Sequence, residues 1–326
     1  MTQNTGWQEA TSPFHKGERA AQEIVGVRER VEMIGRRGVR DFMPDQHRAF
    51  YESLPMIFAG HVDAAGWPWA SVLYGGQGFI RSPDTRKLTI KARPFAGDPL
   101  AASLRVGSAM GFLGMGLNNR RRNRVNGRVS RVAEGEFDLM VDQSFGNCPQ
   151  YIKTRDVSEV QQPTSARPHE TLTALDAEAR KLITGAETFF VATANLSETA
   201  ETVAHGADMS HRGGKPGFVK VEGDTLTIPD FSGNNFFNTL GNMIETPRAG
   251  LLFIDYTNGD LLMISGTTSI VWDAREVADF DGAERFWRLK VRKMHRLRVA
   301  LPVSWTEQEA APNLKNTGSW HDGSKP

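Results

Sequence analysis

The sequence predicts a mainly β chain with peripheral helices, built from two tandem copies of one small β-barrel domain. Three observations carry that prediction. Short apolar runs bounded by Gly, Asn and Asp recur along most of the chain, with too little sequence between neighbours for the crossover helices of a parallel sheet. Glycine is abundant, 32 of 326 residues, as many turns and close backbone approaches require. Segments of the two halves also match at a nearly constant spacing: LTI at 88–90 returns at 226–228, Ala109 at Ala249, Gly127 at Gly266 and Val132 at Val271, offsets of 138 to 140 over about 45 positions.

The elements follow in order. Residues 17–38 place Ala21, Ile24, Val25, Val31 and Ile34 close to helical spacing among Glu and Arg, which predicts one amphipathic helix of about five turns ending near Gly35 and Gly38. A shorter helix after Pro44 leads into a strand at 56–62, and the DAAG turn at 63–66 returns the chain along 67–74. Further strands are expected at 87–90, 108–113 and 125–132. The polar, aperiodic stretch VSEVQQPTSAR at 157–167 reads as a linker. A helix at 175–184 opens the second half, followed by strands at 188–193, 218–221, 225–228, 249–254, 261–266 and 268–272, and by a last, basic strand at 288–301. The predicted units are an N-terminal helical arm at 1–45, a first barrel at 46–156, a linker at 157–170, a second barrel at 171–310 and a tail at 311–326.

Composition narrows the function. Lys and Arg total 39 against 38 Asp and Glu, so no global field holds the chain on nucleic acid or an anionic membrane. The run at 118–131 holds six arginines but no interleaved aromatic residue, and reads as a turn and strand whose arginines pair with acids or reach an anionic ligand. The single cysteine, Cys148, cannot form an internal disulfide, and no His or Lys adjoins it to activate the thiol. With no basic-then-apolar leader and no apolar run approaching about 20 residues, a cytoplasmic protein is expected.

Candidate chemistry concentrates where the two copies differ most. In place of KARPFAGDPLAASL, the second copy carries PDFSGNNFFNTLGNMIETP at 229–247. Ser232 or Asn234 could cap a helix there, placing the amides of Asn234, Asn235 and Asn238 and the hydroxyl of Thr239 around an anion. On this segment alone, a Gly-Asn turn before a capped helix with no ligand fits as well. Upstream, DMSHRGGKPGF at 208–218 reads as a glycine-rich loop bearing Ser210, His211, Arg212 and Lys215. Antiparallel pairing of the adjoining strands would bring both loops together, with Arg212 and Lys215 supplying positive charge. His205 and His211 lack a third ligand at a metal-site spacing, so no metal is expected.

These residues resemble the pyridoxamine 5'-phosphate oxidase-like flavoproteins of the FMN-binding split-barrel fold, most of all a longer subgroup with tandem barrels. The resemblance rests on PFHKGE at 13–18, SHRGGKPGF at 210–218 and IPDFSGNNFFNTLGN at 228–242, and spans residues 13–305. It implies an FMN-dependent oxidoreductase that transfers two electrons between flavin and a small organic substrate. NAD(P)H or the substrate would reduce the flavin, and oxygen or another acceptor would reoxidise it. In the family, a Ser and basic residues begin the phosphate-binding helix about nine residues before an Asn-Pro dipeptide. Counting back from Pro247 reaches Asn238 and Thr239 instead of a basic pair, with Arg212 or Lys215 left to supply the charge. Flavin donors are expected from the backbone of Pro229, Asp230 and Phe231 and from the side chains of Ser210 and Asn242. His211 is the expected proton-transfer residue. His15 and Glu18 read as a helix cap, and Trp305 lies where the family's last strand approaches the flavin. A homodimer is implied, unless the two barrels of one chain form that pair internally. The competing reading is a non-catalytic flavin or haem carrier of the same fold.

Overall fold

The computed structural model describes residues 6–159, 168–196 and 206–320. His205, most of the linker and the ends of the arm and tail lie outside them. The arm holds α1 (Lys16–Ile24) and α2 (Arg28–Gly38), and α3 (Asp45–Glu52) precedes the first sheet. The single helix expected at 17–38 is therefore two, because Gly26 takes φ +71° and ends the first before the apolar periodicity is lost.

The first half supplies β1 (Met56–Val62), β2 (Pro68–Tyr74), β3 (Ile80–Asp84), β4 (Lys87–Ile90), the four-residue α4 (Leu100–Ser103), β5 (Ala109–Met115), β6 (Arg122–Ala133) and β7 (Glu136–Asn147). Between the halves run β8 (Arg155–Glu159), β9 (His169–Leu172) and α5 (Ala177–Gly185). The second half supplies β10 (Thr188–Asn195), β11 (Gly206–Gly213), β12 (Lys220–Glu222), β13 (Thr225–Phe231), α6 (Asn238–Glu245), β14 (Arg248–Ile254), β15 (Leu261–Val271), the short α7 (Ala274–Val277), β16 (Ala283–Leu297) and β17 (Val303–Glu307). The paired neighbours are antiparallel, as expected.

The two large sheets have one topology. The first runs β2-β1-β5-β6-β7-β4-β3 and the second β11-β10-β14-β15-β16-β13-β12, the same path in equivalent strands. Register fixes the equivalence residue by residue. Gly127 and Gly266 both sit at a bulge, between Asn126 and Gly127 in one copy and Ser265 and Gly266 in the other. A Cβ would lie 1.9 Å from the Met140 carbonyl oxygen in the first and 2.3 Å from that of Lys290 in the second, so the bulge demands glycine in both. Across β5 and β14 the pairing sets Met110, not Ala109, equivalent to Ala249, since Met110 faces Gly127 as Ala249 faces Gly266.

Several strands differ from expectation. The segment read as a glycine-rich loop is mostly β11, and the two runs at 261–266 and 268–272 are one strand bent at the bulge. The basic strand begins at Ala283 and ends at Leu297. β3 and β7 carry no apolar alternation strong enough to announce them; β7 interleaves Asp138 and Asp142 with its core residues. Each barrel has its own apolar core, around Phe112 and Phe137 in the first and Phe189, Phe253 and Trp287 in the second. A third cluster joins them: Phe58 of β1 stacks on its equivalent Phe190 of β10 with centroids 3.6 Å apart. β8 pairs with β17, so the chain leaving the first barrel is tied to the strand that follows the second.

Candidate active site between the two barrels

A cleft enclosing about 820 Å³, part of it open to solvent, lies where the first barrel's β6 and β7 meet the second barrel's β11, β13 and the start of α6. Ten of the expected site residues line it: Ser210, His211, Arg212, Pro229, Asp230, Phe231, Asn234, Asn235, Asn238 and Thr239. Two do not. Lys215 turns away, its ammonium 3.5 Å from the Lys315 carbonyl. Asn242 lies behind the wall, one turn along α6, donating to Thr193 Oγ1 at 3.1 Å and Asp208 Oδ2 at 2.9 Å.

The charge expected from Lys215 comes instead from the other half of the chain. Arg124 of β6 is buried, donates through Nη1 to Asn238 Oδ1 at 3.0 Å and through Nη2 to Ser210 Oγ, and lies 3.7 Å from Asp208. Ser210 Oγ is 3.0 Å from Thr239 Oγ1. Arg122, two positions earlier on the same face, donates to the Cys148 carbonyl and also lines the cleft. Both arginines stand in the basic run, but the sequence does not show that its first-copy strand reaches the second copy's cleft. Its other members are engaged elsewhere: Arg120 on the carbonyls of Ile152 and Ala310, Arg121 on that of Gln46, Arg128 3.9 Å from Asp142, and Arg131 on Asp138 and Glu136.

No side chain caps α6. Neither Ser232 nor Asn234 reaches it, because the helix starts only at Asn238 and its N-cap, Phe237, is left-handed at φ 61°. Asn234 Oδ1 instead accepts from the Phe236 N–H at 3.2 Å. The first N–H groups of α6 and the positive end of its dipole therefore face the cleft beside Arg124 and Ser210. On the opposite wall Asp230 binds both Arg212 and Arg285, the latter at 2.7 Å, and Arg285 lies 5.0 Å from the Phe237 ring centroid.

Electrostatically the site favours an anion. Burial pushes Arg122 down, helped by the charges of Arg124 and Arg212, and burial pushes Arg124 down as well. Four buried polar atoms at the cleft have no partner: Nε of Arg124, Nε of Arg212, Nδ1 of His211 and Nδ2 of Asn147. His211 itself is held well below the usual histidine range by burial and then by Arg122, Arg155 and Arg212. It is thus a neutral ring at neutral pH, suited to hydrogen bonding, with Thr188 Oγ1 at 3.3 Å from Nε2. A phosphate monoester fits this donor set: several guanidinium and hydroxyl donors and an uncapped helix start converge on one place.

The N-terminal motif lies directly behind. His15 Nδ1 accepts from the Gly17 N–H at 3.1 Å and Glu18 accepts from the His15 N–H at 2.8 Å, the expected cap of α1. Trp305 packs edge-on against Tyr256, 5.0 Å away, and does not line the cleft. Among the described residues no cluster of three metal-ligating side chains occurs, and no helix is long and apolar enough to cross a membrane.

Residues 175–307, nearly the whole second barrel, match the pyridoxamine 5'-phosphate oxidase family. A candidate pyridoxamine 5'-phosphate oxidase from Lactobacillus delbrueckii is similar over 38% of this chain and 97% of its own, at 13% identity and a TM-score of 0.31. HupZ from Group A Streptococcus is similar over 38% and 99%, at 11% identity and a TM-score of 0.30. A NimC/NimA family protein from Clostridium acetobutylicum is similar over 40% and 90%, at 12% identity and a TM-score of 0.26. No curated protein matches the sequence.

Proposed function

Since the second barrel, residues 175–307, belongs to the pyridoxamine 5'-phosphate oxidase family, we propose that the cleft between the barrels holds FMN and that the protein is an FMN-dependent oxidoreductase acting on a small organic substrate. The observation that carries this reading is the convergence of Arg124, Ser210, Asn238 and Thr239 on the uncapped start of α6. That donor set suits one phosphate monoester. No GxGxxG turn joins a strand to a helix in the sequence, as a dinucleotide site of the Rossmann type would require.

FMN, when bound, supplies two-electron transfer; reductant and acceptor are NAD(P)H, substrate or oxygen. The chain's residues bind and orient. Arg124 and the α6 N–H groups neutralise the phosphate, while Phe231 and Phe237 provide apolar wall. Asp230 fixes Arg212 and Arg285 as rigid donors. His211, kept neutral, offers the unpartnered Nδ1 as a hydrogen-bonding group and is a poor proton donor near pH 7.

One observation favours the non-catalytic carrier as a second reading. The acids of the cleft, Asp230 and Glu284, are tied to Arg212 and Arg285, leaving no carboxyl poised for proton transfer among the described lining residues. Steady-state NAD(P)H consumption above that of free FMN separates enzyme from carrier. The first test is the absorption spectrum of the purified protein, with the cofactor released by heat and identified by mass. Flavin bands and FMN in the supernatant are expected, with affinity falling about 10- to 100-fold in Arg124→Met, the loss of a charged hydrogen-bond donor. A colourless protein that takes up no added FMN overturns the flavoprotein reading in both forms.

A further inference from the structure

The arm crosses α6 at unusually close range. A Cβ on Gly17 would lie 2.2 Å from the Gly241 carbonyl oxygen, and one on Gly241 would lie 2.5 Å from the Glu18 nitrogen, so the helices touch backbone to backbone. This contact buries the Glu18 side chain against the back of the phosphate cradle, 2% exposed. There Glu18 Oε1 accepts from Asn238 Nδ2, and its other oxygen is held by the His15 N–H. Asn238 then presents its Oδ1 to Arg124, whose other Nη donates to Ser210.

We propose that Glu18 is a positioning residue for the phosphate end of the cleft, acting through Asn238 on Arg124; the proposal rests on the FMN reading above. An amide has one donor end and one acceptor end. Burial and then the Asp208 charge push the Glu18 carboxyl well above the usual range, yet both of its oxygens accept here, Oε1 from Asn238 Nδ2 and the other from the His15 N–H, so Glu18 takes the donor end of Asn238 and leaves the acceptor end for the guanidinium. Without that constraint the amide can turn, presenting NH₂ to Arg124 and releasing the guanidinium from its place beside Ser210. The arm thus gives direction to a bond made between the two barrels.

The prediction is specific to phosphate. In Glu18→Gln the new amide can itself donate to Asn238 and turn it, so FMN affinity is expected to fall about tenfold or more while riboflavin affinity, which lacks the phosphate term, stays within about twofold of the wild type. Titration of the apoprotein with both flavins, following quenching of flavin fluorescence, reads the ratio. Glu18→Gln in an Asn238→Ala background is expected to change the ratio no further, because the intermediary is gone. Should Glu18→Gln fail to fold, Glu18→Asp, which withdraws the carboxylate by one methylene, is expected to lower the ratio in the same direction. An unchanged FMN-to-riboflavin ratio in a folded variant, or a full Glu18 effect without Asn238, overturns the proposal. A wild-type protein that binds neither flavin overturns the FMN reading instead.

Discussion

Asp98 is fully buried in the first barrel, where its Oδ1 accepts from Ser71 Oγ at 2.7 Å and from the Leu100 N–H at 2.8 Å while Oδ2 has no partner. Burial pushes its carboxyl up to about 6. A folded-state value above the unfolded one means that the fold favours the protonated form: the stabilisation is full below about 3.8 and is lost as pH rises through about 6. Asp98→Asn is therefore expected to raise Tm relative to the wild type at pH 8, by at most about 3 kcal/mol in stability, and to change it little at pH 4. Calorimetry on both proteins at each pH measures the difference; a variant less stable at pH 8 contradicts the assignment. At the same scale, the sequence reveals Ser210, Asn238 and Thr239 because small polar groups are dense around them. It hides Arg124, whose role depends on a partner 86 positions away.

Among elements, the crossing of α1 and α6 is decided by two glycines that look like ordinary helix-weakening residues in sequence. Gly241→Ala places a methyl against the Glu18 backbone and is expected to destabilise the protein by about 2 kcal/mol. Limited proteolysis should then cut the arm faster than in the wild type, whereas an unchanged cleavage rate would show that the arm is held by other contacts. The capping box of α1 was legible, because His15 and Glu18 stand three apart before an apolar run. The start of α6 was not: Ser232 and Asn234 are good caps by type, but Asn235 and Phe237 take positive φ and delay the helix to Asn238. The sequence of β11 reads as loop because Gly, His, Arg and Ser carry weak strand propensity; pairing with all of β10 makes it a strand regardless.

Across the whole molecule the two copies face one another through Phe58 and Phe190, but the positions equivalent to the cradle carry different residues in the first copy. Register maps Ser210 onto Ser71, Arg124 onto Met263 and Asp208 onto Trp69. In the first copy Ser71 is thus met by its own carboxylate, Asp98, where Ser210 meets the hydroxyl of Thr239. An acid in the cradle and a methionine for the arginine both oppose a phosphate. One FMN per chain is expected, whatever the number of chains in the particle. Flavin absorbance against amino-acid analysis measures it, and two per chain would require a second site in the first barrel.

The amino-acid sequence alone determined the mainly β class, the internal repeat, the place where the copies diverge and ten of the residues that line the cleft. These are written in local patterns: strand-length apolar runs, matched spacing and a local excess of small polar residues. Tertiary structure decided which barrel supplies the positive charge, which sheet faces line the cleft, and how the arm's carboxyl meets Asn238. Those outcomes depend on how sheet faces pack and how closely two helices can approach, distances set by residues far apart in the chain, and no local pattern carries them.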